Sequence, residues 1–207
     1  MVATSTVAPR RDRIVDAATR LFSERGYHGT SMRDIAEASG IRAASLYAHI
    51  EAKEDLLSGI IEDAAERFSA RLEEVLEAQA GPVERLRLAI HAHVEVVAAD
   101  RDAARVFLHE WNALKGEARA RALELRDGYE LRWDRIVREG IDRGVFRRQD
   151  ATLARILVLS AANWVYTWYD PAGPLTPAQV ADGFADLLLR GLRRGGSGKI
   201  RDRATER

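Results

Sequence analysis

The chain has 207 residues, 46% of them apolar, with 32 Lys and Arg balanced against 32 Asp and Glu. That length fits one generous domain, or a small domain joined to a larger one, with enough apolar material for a real core. With no cysteine, disulfides, thiolate metal sites and cysteine nucleophiles are excluded. No apolar run reaches membrane-spanning length, and Met1 to Pro9 lacks the apolar centre of a signal peptide, so a cytoplasmic protein without a membrane partner is expected.

Nearly every segment repeats with helical period, so the expected fold class is all-α, with about nine helices. Residues 1–9 read as a disordered start. Ile14, Ala18, Leu21 and Phe22 share one face of a first helix, and Gly26 stands where a left-handed cap belongs. Thr30 or Ser31 offers a hydroxyl cap to a short helix carrying Met32, Ile35 and Ala36. Gly40 breaks it, and another short helix is expected from Arg42 to Ile50. Lys53 opens a long helix to about Gln79, striped with Leu56, Leu57, Ile60, Ile61, Ala64, Phe68, Leu72, Val75 and Leu76. Pro82 suits the first turn of the next helix, running to Ala99.

Helices follow at about 102–114 and 116–140. Asp150 is placed to cap an apolar helix reaching Trp168. Thr176-Pro177-Ala178-Gln179 resembles a capping box opening a last helix that ends near Gly191. Gly195, Gly196, Ser197 and Gly198 lead into a basic tail, expected to be disordered over 195–207.

Two short helices around a glycine-bearing turn form the helix-turn-helix pattern, whose second helix enters the DNA major groove. From Arg10 to Ile50 there are seven Lys and Arg against five Asp and Glu, an excess too small to decide anything alone. The residues are more specific. The stretch from Phe22 through Gly26-Tyr27, Thr30-Ser31-Met32-Arg33-Asp34-Ile35-Ala36 and Gly40-Ile41, then Ser45-Leu46-Tyr47-Ala48-His49-Ile50 and Lys53-Glu54-Asp55-Leu56-Leu57, closely resembles the TetR family signature. Ile50 stands where the family usually has an aromatic, and Ala52 where a capping hydroxyl often precedes the lysine.

The resemblance implies a three-helix DNA-binding domain over residues 10–53 and a larger helical ligand-binding and dimerisation domain over 54–194. It implies a homodimer joined through the last two long helices, bound to a pseudo-palindromic operator in double-stranded DNA. It also implies a repressor released by a small-molecule inducer. Tyr47, His49 and Lys53 match positions that hold the DNA backbone in this family. By chemistry, Thr30, Ser31 and Arg33 offer a phosphate seat at a helix start. Arg42 can reach guanine O6 and N7, Ala43 and Ala44 permit close approach to thymine methyls, and Ser45 suits a base or a phosphate. Arg10, Arg11 and Arg13 suggest an arm along the DNA.

The passage from Asn163-Trp164-Val165-Tyr166-Thr167-Trp168-Tyr169-Asp170-Pro171 to Thr176 resembles TetR regulators of fatty-acid, aromatic-acid or steroid degradation that answer acyl-CoA thioesters. Ser160, Trp164 and Trp168 share one helix face and are candidate ligand contacts or dimer packing, with Tyr166 and Tyr169 pointing elsewhere. Arg105, His109, Trp111 and Asn112 are the remaining ligand candidates, surface or inter-helix contacts being the plainer reading. His91 and His93 diverge by about 200° on a helix and cannot share an ion, so no metal and no resident cofactor is expected. An efflux-pump repressor binding cationic drugs is the alternative and would need buried carboxylates. An enzyme is the other class; no phosphate loop, nucleophile elbow or metal-ligand cluster supports it.

Overall fold

The computed structural model describes residues 9–48 and 50–192. Apart from one isolated bridge at Phe146, the regular elements among them are helices. They are α1 (Arg10–Arg25), α2 (Met32–Ala38), α3 (Ala43–Leu46), α4 (Lys53–Glu77), α5 (Pro82–Ala99), α6 (Arg101–His109), a single 3₁₀ turn (Glu110–Ala113), α7 (Gly116–Asp142), α8 (Ala151–Asn163), α9 (Val165–Trp168) and α10 (Pro177–Leu192). Trp164 alone separates α8 from α9, and its backbone is itself helical. Read as one interrupted helix, the pair brings the count to the expected nine.

The ends form for local reasons. Ser31 Oγ accepts from the Asp34 N–H at 3.2 Å while Asp34 Oδ2 accepts from the Ser31 N–H at 2.8 Å, so the cap of α2 is Ser31. The Ser31 hydroxyl donating to Asp34 Oδ2 at 2.5 Å, and after it the Ser31 N–H, hold the Asp34 carboxyl below its usual range. Ala52 has no hydroxyl to cap α4. Asp55 Oδ2 instead accepts from the Ala52 N–H at 2.8 Å, half of a capping box. Asp150 accepts from the Leu153 N–H, and Thr176 and Gln179 exchange both bonds of the box expected at the start of α10.

Three local expectations differ. Gly26 has φ 74° and ψ 162°, a glycine conformation but not the left-handed helical one, so the chain turns sharply instead of closing a standard cap. Arg10, Arg11 and Arg13 lie in the first turns of α1 and not in an extended arm. The recognition helix α3 is four residues long, shorter than expected, because Tyr47 and Ala48 already lie in a turn. Both tails, residues 1–8 and 193–207, lie outside the described residues, as does His49.

The core runs without interruption from the small helices into the large bundle. Ile14, Phe22, Ile35 and Leu46 close the first three helices over Leu57 and Ile61 of α4. Phe68 and Leu72 carry the same stripe among Leu86 and Ile90 of α5 and Trp133 and Ile136 of α7. A Cβ at Gly140 would overlap the Phe146 ring, so glycine there lets the loop after α7 fold back onto it. Helix α4 packs on α5, α6 and α7, α10 packs on α5, and α6 lies against α1.

Candidate nucleic-acid interface and effector site

The first surface lies around α3. Arg42 is the exposed residue at its N-terminal end, where backbone N–H groups are free. Ala43 and Ala44 are exposed beside it, and Ser45 is half-buried. Arg10 Nη1 donates to Ser45 Oγ at 3.2 Å, so the start of α1 leans on α3. Tyr47 projects with 57% of its surface exposed, which is a poor place for an aromatic ring unless something covers it. Ser31 and Arg33 are exposed at the head of α2.

Two residues expected from the sequence to touch DNA hold the protein's own backbone, Thr30 buried and Lys53 half-buried. Thr30 is 2% exposed, and its hydroxyl donates to the carbonyls of Leu21 and Gly26 at 3.2 and 3.0 Å. It ties α1 to α2 and has no path to a phosphate. Lys53 Nζ donates to the Tyr27 and Thr30 carbonyls at 2.7 and 2.6 Å and lies 4.0 Å from the Tyr27 ring centre. Burial lowers its pKa, yet it remains the cation that locks the turn between α1 and α2.

A second set of bonds crosses between the small helices and α6. Ser23 Oγ donates to Asp102 Oδ1, and the Tyr27 N–H donates to Glu110 Oε2 at 2.9 Å. Neither pair leaves a mark in the sequence, because the partners lie far apart along the chain.

In the larger unit α8 and α9 turn the face that carries Ser160, Trp164 and Trp168 outward from the single chain. Ser160, Trp164 and Trp168 are exposed, Trp164 with 61% of its surface. They continue an outward stripe of Leu153, Ile156 and Leu157. The residues that face inward are Asn163 and Tyr166, with Tyr169 buried. The Tyr166 hydroxyl and His109 Nε2 share a hydrogen bond of 2.8 Å that pins α9 to α6. Burial, then the nearby Arg105, hold the His109 pKa below the ordinary imidazole range, so the imidazole in this bond is neutral at neutral pH.

Beside it, the Arg126 guanidinium lies 4.3 Å from the Trp111 ring centre, with Arg119 at 5.5 Å. Arg126 Nη1 is buried and has no hydrogen-bond partner among the described residues. Arg105 and Asn112 are exposed at the edge. Trp111, His109, Arg105 and Arg126 therefore make a cationic, aromatic-lined patch where α6, the 3₁₀ turn and α7 meet. Arg119 and Arg126 carry no marker in the sequence; arginines are abundant throughout α7.

Deeper in, Phe68, His93, Phe107, Tyr129 and Trp133 form one aromatic cluster, with Phe68 4.9 Å from His93 and 5.4 Å from Phe107. His93 Nδ1 and the Tyr129 hydroxyl share a bond of 2.8 Å. Burial lowers the His93 pKa to about 3 and raises that of Tyr129, so both are neutral. His91 points away to Asp182 Oδ1 at 2.9 Å, and Glu95 is taken by Arg71. Among the described residues no cluster suited to a metal ion exists.

Two family descriptions match this chain. Residues 14–60 match "Bacterial regulatory proteins, tetR family", and residues 79–192 match "Tetracyclin repressor-like, C-terminal domain". The HTH-type transcriptional repressor KstR2 of Mycobacterium tuberculosis is 30% identical over 193 residues, 92% of this chain and 96% of that protein. The crystal structure of PfmR, a TetR family transcriptional regulator from Thermus thermophilus, superposes with a TM-score of 0.78 at 39% identity, covering 88% of this chain and all of that one. AibR in complex with isovaleryl coenzyme A and operator DNA gives the same TM-score at 34% identity, covering 87% of this chain and 98% of that one.

Proposed function

The chain belongs to the TetR family of regulatory proteins, and from that premise we propose a repressor that holds operator DNA until an acyl-CoA thioester enters its larger helical unit. The family makes it a DNA-binding transcriptional regulator and not an enzyme. No helix among the described residues is long and apolar enough to cross a membrane.

The observation that carries the acyl-CoA reading is Arg126. Its guanidinium stacks on Trp111, keeps a buried N–H unpartnered, and stands near Arg119 and Arg105. Coenzyme A presents an adenine ring and several phosphates, which stacking aromatics and arginines recognise. Two relatives support the same class, since AibR was crystallised with isovaleryl coenzyme A and a fatty acid metabolism regulator of Bacillus subtilis is 28% identical over 89% of this chain. The efflux alternative needs buried carboxylates; no Asp or Glu among the described residues is buried.

Arg42, Ala43, Ala44 and Ser45 would face base edges, while Ser31, Arg33 and Tyr47 would hold phosphates. Two copies would pair through the exposed stripe of α8 together with Leu187 of α10, which is 70% exposed. Pairing sets the two recognition helices roughly 34–36 Å apart, one turn of DNA. A ligand that favours another spacing shifts the population away from the DNA-competent form. Helix α4 runs through both units, and the ties from Ser23 and Tyr27 to Asp102 and Glu110 couple α6 and the 3₁₀ turn to the DNA-binding helices.

The test is fluorescence anisotropy on DNA from the upstream region of its own gene, at fixed salt, with and without a panel of acyl-CoA thioesters. Sequence-dependent binding lost with a thioester is expected. Tight binding indifferent to every thioester would refute the acyl-CoA reading and leave the DNA-binding one standing.

A further inference from the structure

We propose that the polar cluster around His93 is the inner end of the effector site, and that it selects an acyl chain carrying a neutral oxygen, a hydroxyl or a ketone, over a plain chain and over a terminal carboxylate. This rests on the acyl-CoA reading and specifies the chemistry at the far end of the chain.

Three polar atoms of the cluster, His93 Nε2, Trp133 Nε1 and Asn163 Oδ1, are buried without a hydrogen bond of normal geometry among the described residues, Trp133 Nε1 lying beside the Tyr129 hydroxyl. Leaving a buried polar atom unpaired is costly, and such atoms are rare in folded proteins. Here three share one place. The His93 ring lies 6.0 Å from both Trp133 and Tyr129. The Asn163 carboxamide faces His93 closely enough to favour its protonated form, without a bond of normal geometry. Atoms that are satisfied only when a ligand arrives account for this concentration.

The roles of the three atoms define the ligand. Trp133 only donates, Asn163 Oδ1 only accepts, and His93 Nε2 does either, according to which way the proton lies on its bond to Tyr129. A hydroxyl accepts from Trp133 and donates to Asn163. A ketone accepts from Trp133 and His93. A plain chain offers none of the three a partner. A carboxylate would be stripped of water beside a neutral imidazole with no buried cation to meet it, which is far more costly. Phe68 and Phe107 supply the apolar wall for the rest of the chain.

The route follows from α7 and α9. Arg126, Tyr129 and Trp133 share one face of α7, and the span from Arg126 to Trp133 is about 10 Å along the helix axis. It leads from the arginine and tryptophan patch to the buried cluster. The lid is α9. The helix breaks immediately after Asn163, and the Tyr166–His109 bond holds the next turn down.

The experiment is calorimetric titration of the full chain with decanoyl-CoA, with derivatives bearing a hydroxyl or ketone on the penultimate carbon, and with decanedioyl-CoA. The hexanoyl series is repeated to cover a shallower site. One buried bond gained corresponds to a preference of about tenfold for the hydroxyl or ketone form in one series, and the dioyl form binds weakest. Asn163→Leu and Trp133→Phe each narrow that preference to about twofold or less, and operator binding without thioester reports that the variants fold. Equal affinity for plain and oxygenated chains, or a preference that survives in both variants, overturns the subsite and leaves the acyl-CoA reading intact. Failure of every thioester to bind removes both.

Discussion

Ser23 on α1 donates its hydroxyl proton to Asp102 on α6 at 2.7 Å, across the seam between the DNA-binding helices and the rest of the bundle. With the Tyr27 N–H on Glu110, it forms a pair of side-chain ties at opposite ends of one short segment. Both acceptors are carboxylates, which makes each bond stronger than a neutral one. A segment that touches the effector side through His109 and the DNA side through Asp102 is well placed to report occupancy.

Ser23→Ala should therefore weaken communication more than it weakens DNA binding. The expected result is operator affinity within about threefold of the parent, with the thioester concentration for half-release changed by about fivefold or more, in line with a tie of about 1 kcal/mol. Anisotropy titrations of parent and variant on the same operator check it. An unchanged release midpoint would show that α6 is not coupled through Ser23.

Thr30 and Ser31 should separate cleanly although both are hydroxyl residues at one helix start. Thr30→Val leaves the Leu21 and Gly26 carbonyls without their shared donor and should cost about 1–2 kcal/mol of stability. Ser31→Ala removes the cap and costs about 1 kcal/mol, and it also removes an exposed hydroxyl from the proposed phosphate seat. Urea melts measure the first effect in both variants. Only Ser31→Ala should lose more operator affinity than its stability loss explains.

Arg42→Ala and Tyr47→Ala test the division between reading bases and holding phosphates. Arg42→Ala should lower the preference for operator over random DNA by about 1–3 kcal/mol. Tyr47→Ala should weaken both by a similar factor. Competition binding at one salt concentration distinguishes them, and equal loss of specificity in both variants would defeat the assignment.

The features of this fold that are legible in the sequence are those set by near neighbours. Caps at Ser31, Asp150 and Thr176, the breaks at Gly26 and Gly40, and the apolar stripe of α4 each depend on residues a few positions away. The orientation of α8 and α9 is not legible because the helix is apolar all round. Large side chains at Leu153, Leu157 and Trp164 face outward while small Ala154 and Ala162 with Val158 face the core, the reverse of the usual expectation. The internal ties of Thr30 and Lys53 are not legible for a different reason. Their partners are backbone carbonyls, which leave no mark in a sequence. The His93 cluster draws on five helices, α4, α5, α6, α7 and α8, so no spacing rule could gather it.

His93 makes stability depend on pH in a defined direction. Its pKa falls from 6.5 to about 3 on folding because burial disfavours the charged ring. Below pH 6.5 the unfolded chain binds a proton that the folded chain refuses, so stability is level above that pH and declines as pH falls toward 3. The slope from this one group approaches about 1.4 kcal/mol per pH unit. Carboxylates in ion pairs add their own slope, so the quantity to read is the difference between parent and His93→Phe in urea midpoints at successive pH values. Parallel curves would mean that His93 titrates freely.

The outward stripe of α8 supplies the last prediction. Leu153, Ile156, Leu157 and Trp164 repeat at helical spacing and are 67%, 46%, 57% and 61% exposed, and Leu187 is exposed on α10, which packs against α8. A contiguous apolar band of this kind is unusual on an isolated chain and common where two copies meet. Because a two-fold contact places the same residues on both sides, one charge enters the interface twice. Leu157→Glu should convert a dimer in sedimentation velocity to a monomer with its helix content unchanged by circular dichroism. Operator binding should fall with it, since a single recognition helix spans one half-site. A Leu157→Glu protein that still sediments as a dimer would move the interface elsewhere. A dimer that forms yet fails on DNA would point instead to α8 setting the spacing between the two recognition helices.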